Sequence, residues 1–327
     1  MTQADARLMG AALALAERGR GRTAPNPNVG CVIVREGRVV GRGWTQVGGR
    51  PHAEAMALAE AGAEARGATA YVTLEPCAHQ SPRGPACSDL MIEADVARVV
   101  VAVGDPDART AGQGFTRLEA AGIAVTRGVR ANEARRSMAG FLTRQALGRP
   151  HVTLKLATSL DGCIAMADGS SRWITGPQAR MHAHLERSRH EAILVGRGTY
   201  DADAPRLDVR LPGLEARGPM RVLLSSTVRD VPGWTVIAAP HDIAMLPRVD
   251  HILVEGGAAV ASAFLAADLV DRLLLYHAPI LIGGGKHALR DIGLTNLSAA
   301  HARWTLVDAR QLGMDRLEVY ERERNEA

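Results

Sequence analysis

Aromatic side chains make up only 3% of this chain, and it has only four cysteines. The first shortage leaves little material for the stacking platforms that single-stranded nucleic acid binders use, and no Lys/Arg run compensates for it. The second excludes a disulfide framework, so a reducing cytoplasm is the expected compartment. No apolar run is long enough to cross a membrane. Residues 1–6 lack a basic start and residues 8–16 read as one amphipathic helix ending in Glu17 and Arg18, so no signal peptide is expected. The net charge of +4 is modest and suits small anionic ligands.

A length of 327 residues suits two domains better than one. The boundary is expected near Gly148-Arg149-Pro150, giving domains 1–147 and 148–327. Before it, short apolar segments (29–34, 70–74, 98–103) alternate with Ala-rich helical patterns from Pro51 and Ser88, the order of an α/β layered domain. After it, strands are expected at 151–156, 192–195, 220–224, 251–254 and 273–276. Helices are expected at 176–189 and 258–267, with a long loop at 201–219.

The chemistry concentrates in His52-Ala53-Glu54, Pro76-Cys77 and Cys87. A neutral imidazole and two thiolates hold Zn²⁺ with one position left open, where the pKa of a water falls to roughly 7. Glu54 is the carboxylate free to move protons, as hydrolytic deamination of a nucleobase requires. Pro51 is placed to start a helix whose first turn carries His52 and Glu54, with Ala55, Leu58 and Ala59 facing inward. Nine residues, 78–86, separate the two cysteines, where the compact deaminase signature has two. Pro82, Gly84 and Pro85 supply turns for that excursion, and Cys87 precedes a helix opening at Ser88 and Asp89, a setting that favours a thiolate. The competing reading is a structural zinc site or two buried free thiols. A structural site is normally closed by a fourth protein ligand, and the nearest candidate, His79, reads better as a loop residue facing substrate.

The second half carries no single decisive motif. Gly196-Arg197-Gly198 follows a strand, but Asp201 stands where a dinucleotide fingerprint needs its third glycine. Gly285-Lys286 is followed by His287 where a P-loop needs Ser or Thr. Leu253-Val254-Glu255-Gly256-Gly257-Ala258 runs from strand through two glycines into a helix, either a phosphate-holding turn or only a turn. Asp161 either orients substrate or caps the turn before Gly162.

Several motifs in one order then make the whole chain resemble the bifunctional riboflavin biosynthesis family, a pyrimidine deaminase fused to a reductase. They are Ala24-Pro25-Asn26-Pro27-Asn28-Val29-Gly30, His52-Ala53-Glu54, Val72-Thr73-Leu74-Glu75-Pro76-Cys77 and Asp105-Pro106 with Gly112 and Gly114. In the second half they are Ser159-Leu160-Asp161-Gly162, Ser171-Arg172-Trp173-Ile174-Thr175 and Leu253-Val254-Glu255-Gly256-Gly257. The resemblance implies an α/β fold, with a cytidine-deaminase-like three-layer domain followed by one similar to dihydrofolate reductase. It implies Zn²⁺ on His52, Cys77 and Cys87, and NADPH as the hydride donor of the second domain. It also implies a phosphoribosylated pyrimidine that is deaminated first and then reduced from ribosyl to ribityl, and a homo-oligomer.

By the same matching, Ala157, Trp173, Thr199, Asp203, Ser225, Gly256 and Gly257 fall at NADP positions. Ser171, Arg187, Leu207, Arg210 and Glu255 fall at substrate positions. Arg187 and Arg210 suit the ribose phosphate, since a guanidinium offers paired donors. Asn28 is either a contact to the pyrimidine edge or a turn residue. The family's loop between the cysteines is one residue shorter and typically reads His-x-Gly-(Lys or Arg)-Thr-Pro-Pro-Cys. Its Asp-Asp-Pro becomes Asp203-Ala204-Pro205 here. The alternative is a single-function zinc deaminase of nucleosides or RNA with a non-catalytic C-terminal binding domain.

Overall fold

The computed structural model describes residues 2–79 and 83–324, and the chain divides into two units, Met1–Gly148 and Arg149–Ala327. The turn expected of Pro82 lies outside the described residues.

The first unit runs α1 (Gln3–Ala16), β1 (Gly30–Arg35), β2 (Arg38–Trp44), α2 (Ala53–Ala61), β3 (Thr69–Leu74), α3 (Cys87–Glu93), β4 (Arg98–Val103), α4 (Gln113–Ala120), β5 (Ala124–Arg127), α5 (Ala131–Ser137) and α6 (Ala139–Leu147). Its five strands order as β2-β1-β3-β4-β5, with β1 antiparallel to both neighbours and β3, β4 and β5 parallel. Helix α1 begins earlier than its apolar pattern suggested, because Thr2 and Asp5 form a capping box with bonds of 3.1 and 3.0 Å.

Alternation along β1 sets the layers. A Cβ at Gly30 would sit 1.9 Å from the Ala12 carbonyl oxygen of α1. Cys31, one residue on and hence on the other face, lies close enough to Glu54 of α2 to feel its charge. Helices therefore cover both faces of the sheet. Helix α2 buries Ala53, Glu54, Ala57 and Ala61, whereas Ala55 and Leu58 are only half-buried and Ala59 is exposed. The expected inward face of 55, 58 and 59 is thus corrected. Gly41 and Gly43 on β2 let the helix backbone come so near that a Cβ on either would lie 2.1 Å from a carbonyl oxygen of Ala57 or Ala53. That contact rotates α2 and carries Glu54 inside.

The second unit runs β6 (His151–Thr158), β7 (Cys163–Ala165), α7 (Pro177–Arg187), β8 (Ala192–Gly196), α8 (Arg197–Asp203), β9 (Met220–Leu224), β10 (Thr235–Ile237), β11 (His251–Val254), α9 (Ala258–Ala266), β12 (Arg272–His277), β13 (Lys286–His287), β14 (Trp304–Leu312) and β15 (Asp315–Arg322). Eight strands order as β10-β9-β8-β11-β6-β12-β15-β14, and β10 through β12 are mutually parallel. The chain moves out from β6 through β8, β9 and β10, then returns to lay β11 between β8 and β6. The carboxyl ends of β9, β8, β11 and β6 consequently lie side by side on one edge, the position where open α/β sheets take ligands. Of these, β8 and β11 are buried at every residue or nearly so, as centrally placed parallel strands should be.

Candidate active sites

In the first unit His52 is the residue before α2, Cys77 follows β3, and Cys87 is the first residue of α3. Two helix starts and one strand end thus deliver three donors to one point. His52 Nδ1 lies 3.3 Å from Cys87 Sγ and 3.7 Å from Cys77 Sγ, and the three donor atoms all fall within 4.8 Å of one another. A tetrahedral zinc with ordinary bond lengths sets nitrogen–sulfur separations of ~3.5 Å, so the donor set fits the metal. Among the described residues no fourth His, Cys, Asp or Glu joins the group. His79 instead has its Nδ1 3.3 Å from Thr110 Oγ1.

The Cys87 thiol and its backbone N–H donate to Cys77 and, with the His52 ring beside it, hold the Cys77 thiol down at about 4 despite burial. Cys87 is pushed up correspondingly, by its hydrogen bond to Cys77 and then by burial. Asn26 Nδ2 sits 3.0 Å from the far ring nitrogen of His52 and donates to Gly49 O at 2.8 Å, which fixes the ring. Burial pushes the Glu54 carboxyl up to about 7, with Cys77 adding to the rise and His52 opposing it.

A cavity of ≈ 370 Å³ opens over this group and is lined by Asn26, His52, Glu54, Cys77, His79 and Asp105, with Arg50, Arg83 and Arg109 also on its wall. Burial pushes Asp105 up to about 6. The loop that carries it is held by Glu75, whose carboxylate accepts from the backbone N–H of Asp105, Gly112, Gly114 and Phe115 at 3.0 to 3.3 Å. Asn28 is buried and donates to Ala16 O and Ser137 Oγ, so it braces helices and does not line the cavity.

In the second unit a cavity of ≈ 540 Å³ lies over the ends of β11 and β6. The structure brings Ala157, Ser171, Trp173, Arg187, Asp203, Arg210, Glu255, Gly256 and Gly257 together around it. Trp173 is 66% exposed at the rim, so it is not a core residue, and the Arg180 guanidinium lies 4.8 Å over its ring. Leu207 is not brought in by its side chain: left-handed backbone at φ 53 turns it into a cluster with Ile193, Val195 and Leu253. Thr199 is beside the Gly257 turn, its Oγ1 3.9 Å from where a Gly257 Cβ would be. Ser225 lines a separate cavity.

The bare Gly256-Gly257 turn fits a nucleotide. At Gly256 a Cβ would come within 2.5 Å of Val260, and at Gly257 it would fill the space beside Thr199, ahead of the nine-residue α9.

Arg187 is not held open. Its Nε and Nη2 donate to the two Glu255 oxygens at 2.8 and 2.9 Å, and Nη1 donates to Asp208 O at 3.1 Å. Burial raises Glu255, but the Arg187 charge and hydrogen bonds outweigh it and hold the carboxyl at about 2. Asp161 pins a loop, accepting from Ser159 Oγ and from the backbone N–H of Ile282 and Gly283.

Sequence reasoning passed over Lys155, which lines the larger cavity and whose pKa burial lowers. Its signal was available, since it is the lone charge inside the otherwise uncharged run Val152-Thr153-Leu154-Lys155-Leu156. Asp105 stood out only as part of a motif, although it comes just after a strand end, where ligand contacts gather.

Both halves of the chain have known relatives. The model of the cytidine and deoxycytidylate deaminase zinc-binding region matches residues 2–103, and that of the RibD C-terminal domain matches residues 150–241 and 244–317. The riboflavin biosynthesis protein RibD of Escherichia coli is 40% identical, covering 95% of this chain and 97% of that protein. Its Mycobacterium tuberculosis counterpart is 42% identical, covering 94% and 95%.

Among solved structures, RibD of Acinetobacter baumannii superposes with a TM-score of 0.86 at 35% identity over 98% of this chain and 99% of that one. A Thermotoga maritima diaminohydroxyphosphoribosylaminopyrimidine deaminase/5-amino-6-(5-phosphoribosylamino)uracil reductase gives 0.85 at 32% identity over 97% and 98%. The chain belongs to the RibD family of riboflavin biosynthesis proteins, an enzyme that joins a zinc-dependent deaminase to an NADPH-dependent reductase.

Proposed function

We propose that the two halves act in turn on one phosphoribosylated pyrimidine. Residues 1–147 hydrolytically deaminate 2,5-diamino-6-ribosylamino-pyrimidinone 5'-phosphate, and residues 148–327 then reduce its ribosyl group to ribityl. The observation that carries this reading is the buried Glu54 lining the same cavity as His52 and Cys77, which converge with Cys87.

Zinc on those three residues supplies a Lewis acid that makes water acidic at neutral pH. Glu54 takes a proton from the attacking water, passes one to the ring nitrogen, and later gives one to departing ammonia; a carboxyl titrating near neutrality suits both directions. Asn26 and Asp105 face the amino and carbonyl edges of the ring, and Arg50 and Arg83 suit the phosphate.

In the second site NADPH supplies the hydride, with Ala157, Trp173, Thr199, Asp203, Ser225, Gly256 and Gly257 as its contacts. Lys155 Nζ gives a proton to the ribosyl ring oxygen as the sugar opens, a role that a lysine whose pKa is lowered by burial suits. Glu255, kept anionic by Arg187, orients the sugar hydroxyls. Arg210 and the remaining N–H of Arg187 hold the phosphate, Ser171 closes the rim, and Leu207 contributes through its backbone.

Four cysteines, all free and buried, support a reducing cytoplasm, and no helix is long and apolar enough to cross a membrane among the described residues. Exposed Leu281, Leu294 and Leu297 support a homo-oligomer. Few aromatics support a small-molecule rather than a nucleic acid partner. Mass spectrometry of the diaminopyrimidine phosphate incubated without and then with NADPH tests the order: amine-to-oxygen exchange alone is expected first, and addition of two hydrogens only afterwards. Hydrogen addition without prior exchange contradicts it.

A further inference from the structure

Lys155 is held by very little for a residue at the centre of the reductase cavity. It reaches the cavity wall from β6 and is one of only two lysines in the chain, with Lys286. Among the described residues no hydrogen bond or ion pair reaches its Nζ. Glu255 attracts it, but both Glu255 oxygens are taken by Arg187, which repels it. An ammonium on a flexible four-carbon stem needs something to hold it in one place.

What lies against it is a ring. In the parallel pair of β6 and β12, Lys155 is opposite Leu274 and Ala157 is opposite Tyr276, so alternation puts Lys155 and Tyr276 on one face. Lys155 Nζ is 5.7 Å from the centroid of the Tyr276 ring, within reach of a cation over an aromatic face. Tyr276 is 1% exposed and is the largest fully buried side chain among the described residues. It is fixed at both ends: the ring clusters with Ala179, Leu274, Leu317 and Val319, and the hydroxyl donates to His182 Nδ1 at 2.8 Å. Burial keeps the phenol protonated and lowers the His182 pKa, so the donor and the acceptor are set in that direction. His182 belongs to α7, the helix that also brings His184 and Arg187 to the cavity wall.

We propose that Tyr276 is a positioning residue of the reductase site, its ring face seating the Lys155 ammonium in the cavity while His182 locks the ring. The inference rests on the reading of Lys155 as the proton donor and deepens it. Facing Lys155 are Glu255 from the end of β11, Arg187 and His184 from α7, and the ring from β12. On the rest of the wall Asp203 pairs with Arg172, Arg210 with Asp208, and Arg180 stacks on Trp173. Burial and Arg187 favour the free amine. With the Glu255 oxygens spent on Arg187, the ring face adds the attraction that keeps the amine protonated and in place.

Acetic anhydride labelling of the full chain, read by peptide mass spectrometry across pH, tests this without substrate or cofactor. Only the free amine reacts, and the exposed Lys286 is the internal standard. Tyr276→Phe keeps the ring and should label at Lys155 nearly as the wild type does. A trifluorinated phenylalanine at the same position keeps the shape but strips the ring face of its negative charge. At a fixed pH below the Lys155 pKa it should raise labelling there about 3- to 30-fold over Tyr276→Phe, the worth of a desolvated cation–π contact, with Lys286 unchanged. The alkaline limb of kcat for reduction, where the donor loses its proton, should move to lower pH in step. Thermal melting checks that the two ring variants fold alike, as their shared shape predicts. Equal labelling of the two overturns the platform. Reduction by Lys155→Met at the wild-type rate instead overturns the proton-donor reading, which the labelling does not touch, so the two failures are told apart.

Discussion

Two buried glutamates, one in each unit, show what the halves do differently. Glu54 is enclosed without a cation clasping it, and burial carries it up to about 7. Glu255 is a little less enclosed, with 9% of its side chain exposed, but is gripped by both arms of Arg187 and held at about 2. The same side chain is a proton carrier in one setting and a fixed anion in the other. The first unit does chemistry with its own residues around a metal. In the second, the dinucleotide brings the reactive atom and the protein positions it.

The contrast breaks most completely at the metal. Cys87→Ser should drop both zinc content, by metal analysis, and deamination to background, while reduction of the pre-deaminated substrate persists. In the second unit, Lys155→Met should lower kcat for reduction about 100-fold and leave deamination unchanged. Steady-state assays of each half-reaction decide between that result and a shared loss.

Glu255→Gln should cost about 3 kcal/mol in urea unfolding, because Arg187 would stay buried without its counter-ion. In the wild type that contribution is present above pH 4.5 and is lost as pH falls toward 2, because Glu255 binds its proton more weakly folded than unfolded. Smaller still, Glu75→Gln should destabilise the loop it holds by about 1–3 kcal/mol and raise the KM of deamination without altering reduction.

Last comes pH. Deamination should fall on the acid side with an inflection at or below 7, since Glu54 must be ionised to accept a proton and a cation on its neighbours draws its pKa down. Reduction should show no inflection from Glu255 between pH 5 and 8.

The first unit was legible because its chemistry lies in short motifs at element ends. His52, Cys77 and Cys87 are placed by the start of α2, the end of β3 and the start of α3, and a strand-turn-helix pattern suffices to bring them together. What could not be read was orientation. The rotation of α2 onto Ala53, Ala57 and Ala61 follows from Gly41 and Gly43 on a strand that had no strong pattern of its own, and the division of labour between Asn26 and Asn28 depends on which one α1 and α5 enclose.

In the second unit the strands 220–224 and 251–254 were read as they occur, but the pairing of Arg187 with Glu255 joins residues 68 apart in sequence. Periodicity carries no information about such a contact. Leu207 was legible as a position and not as a conformation, because its left-handed backbone sends the side chain away from the cavity.

The most direct measurement of the account is NADPH oxidation by the Glu54→Gln protein, given either the diaminopyrimidine phosphate or its deaminated product. Two separate sites acting in order predict full zinc content, oxidation at the wild-type rate with the deaminated compound, and a loss of about 100- to 10,000-fold with the diamino compound. Oxidation lost with both compounds, or retained with both, would contradict it.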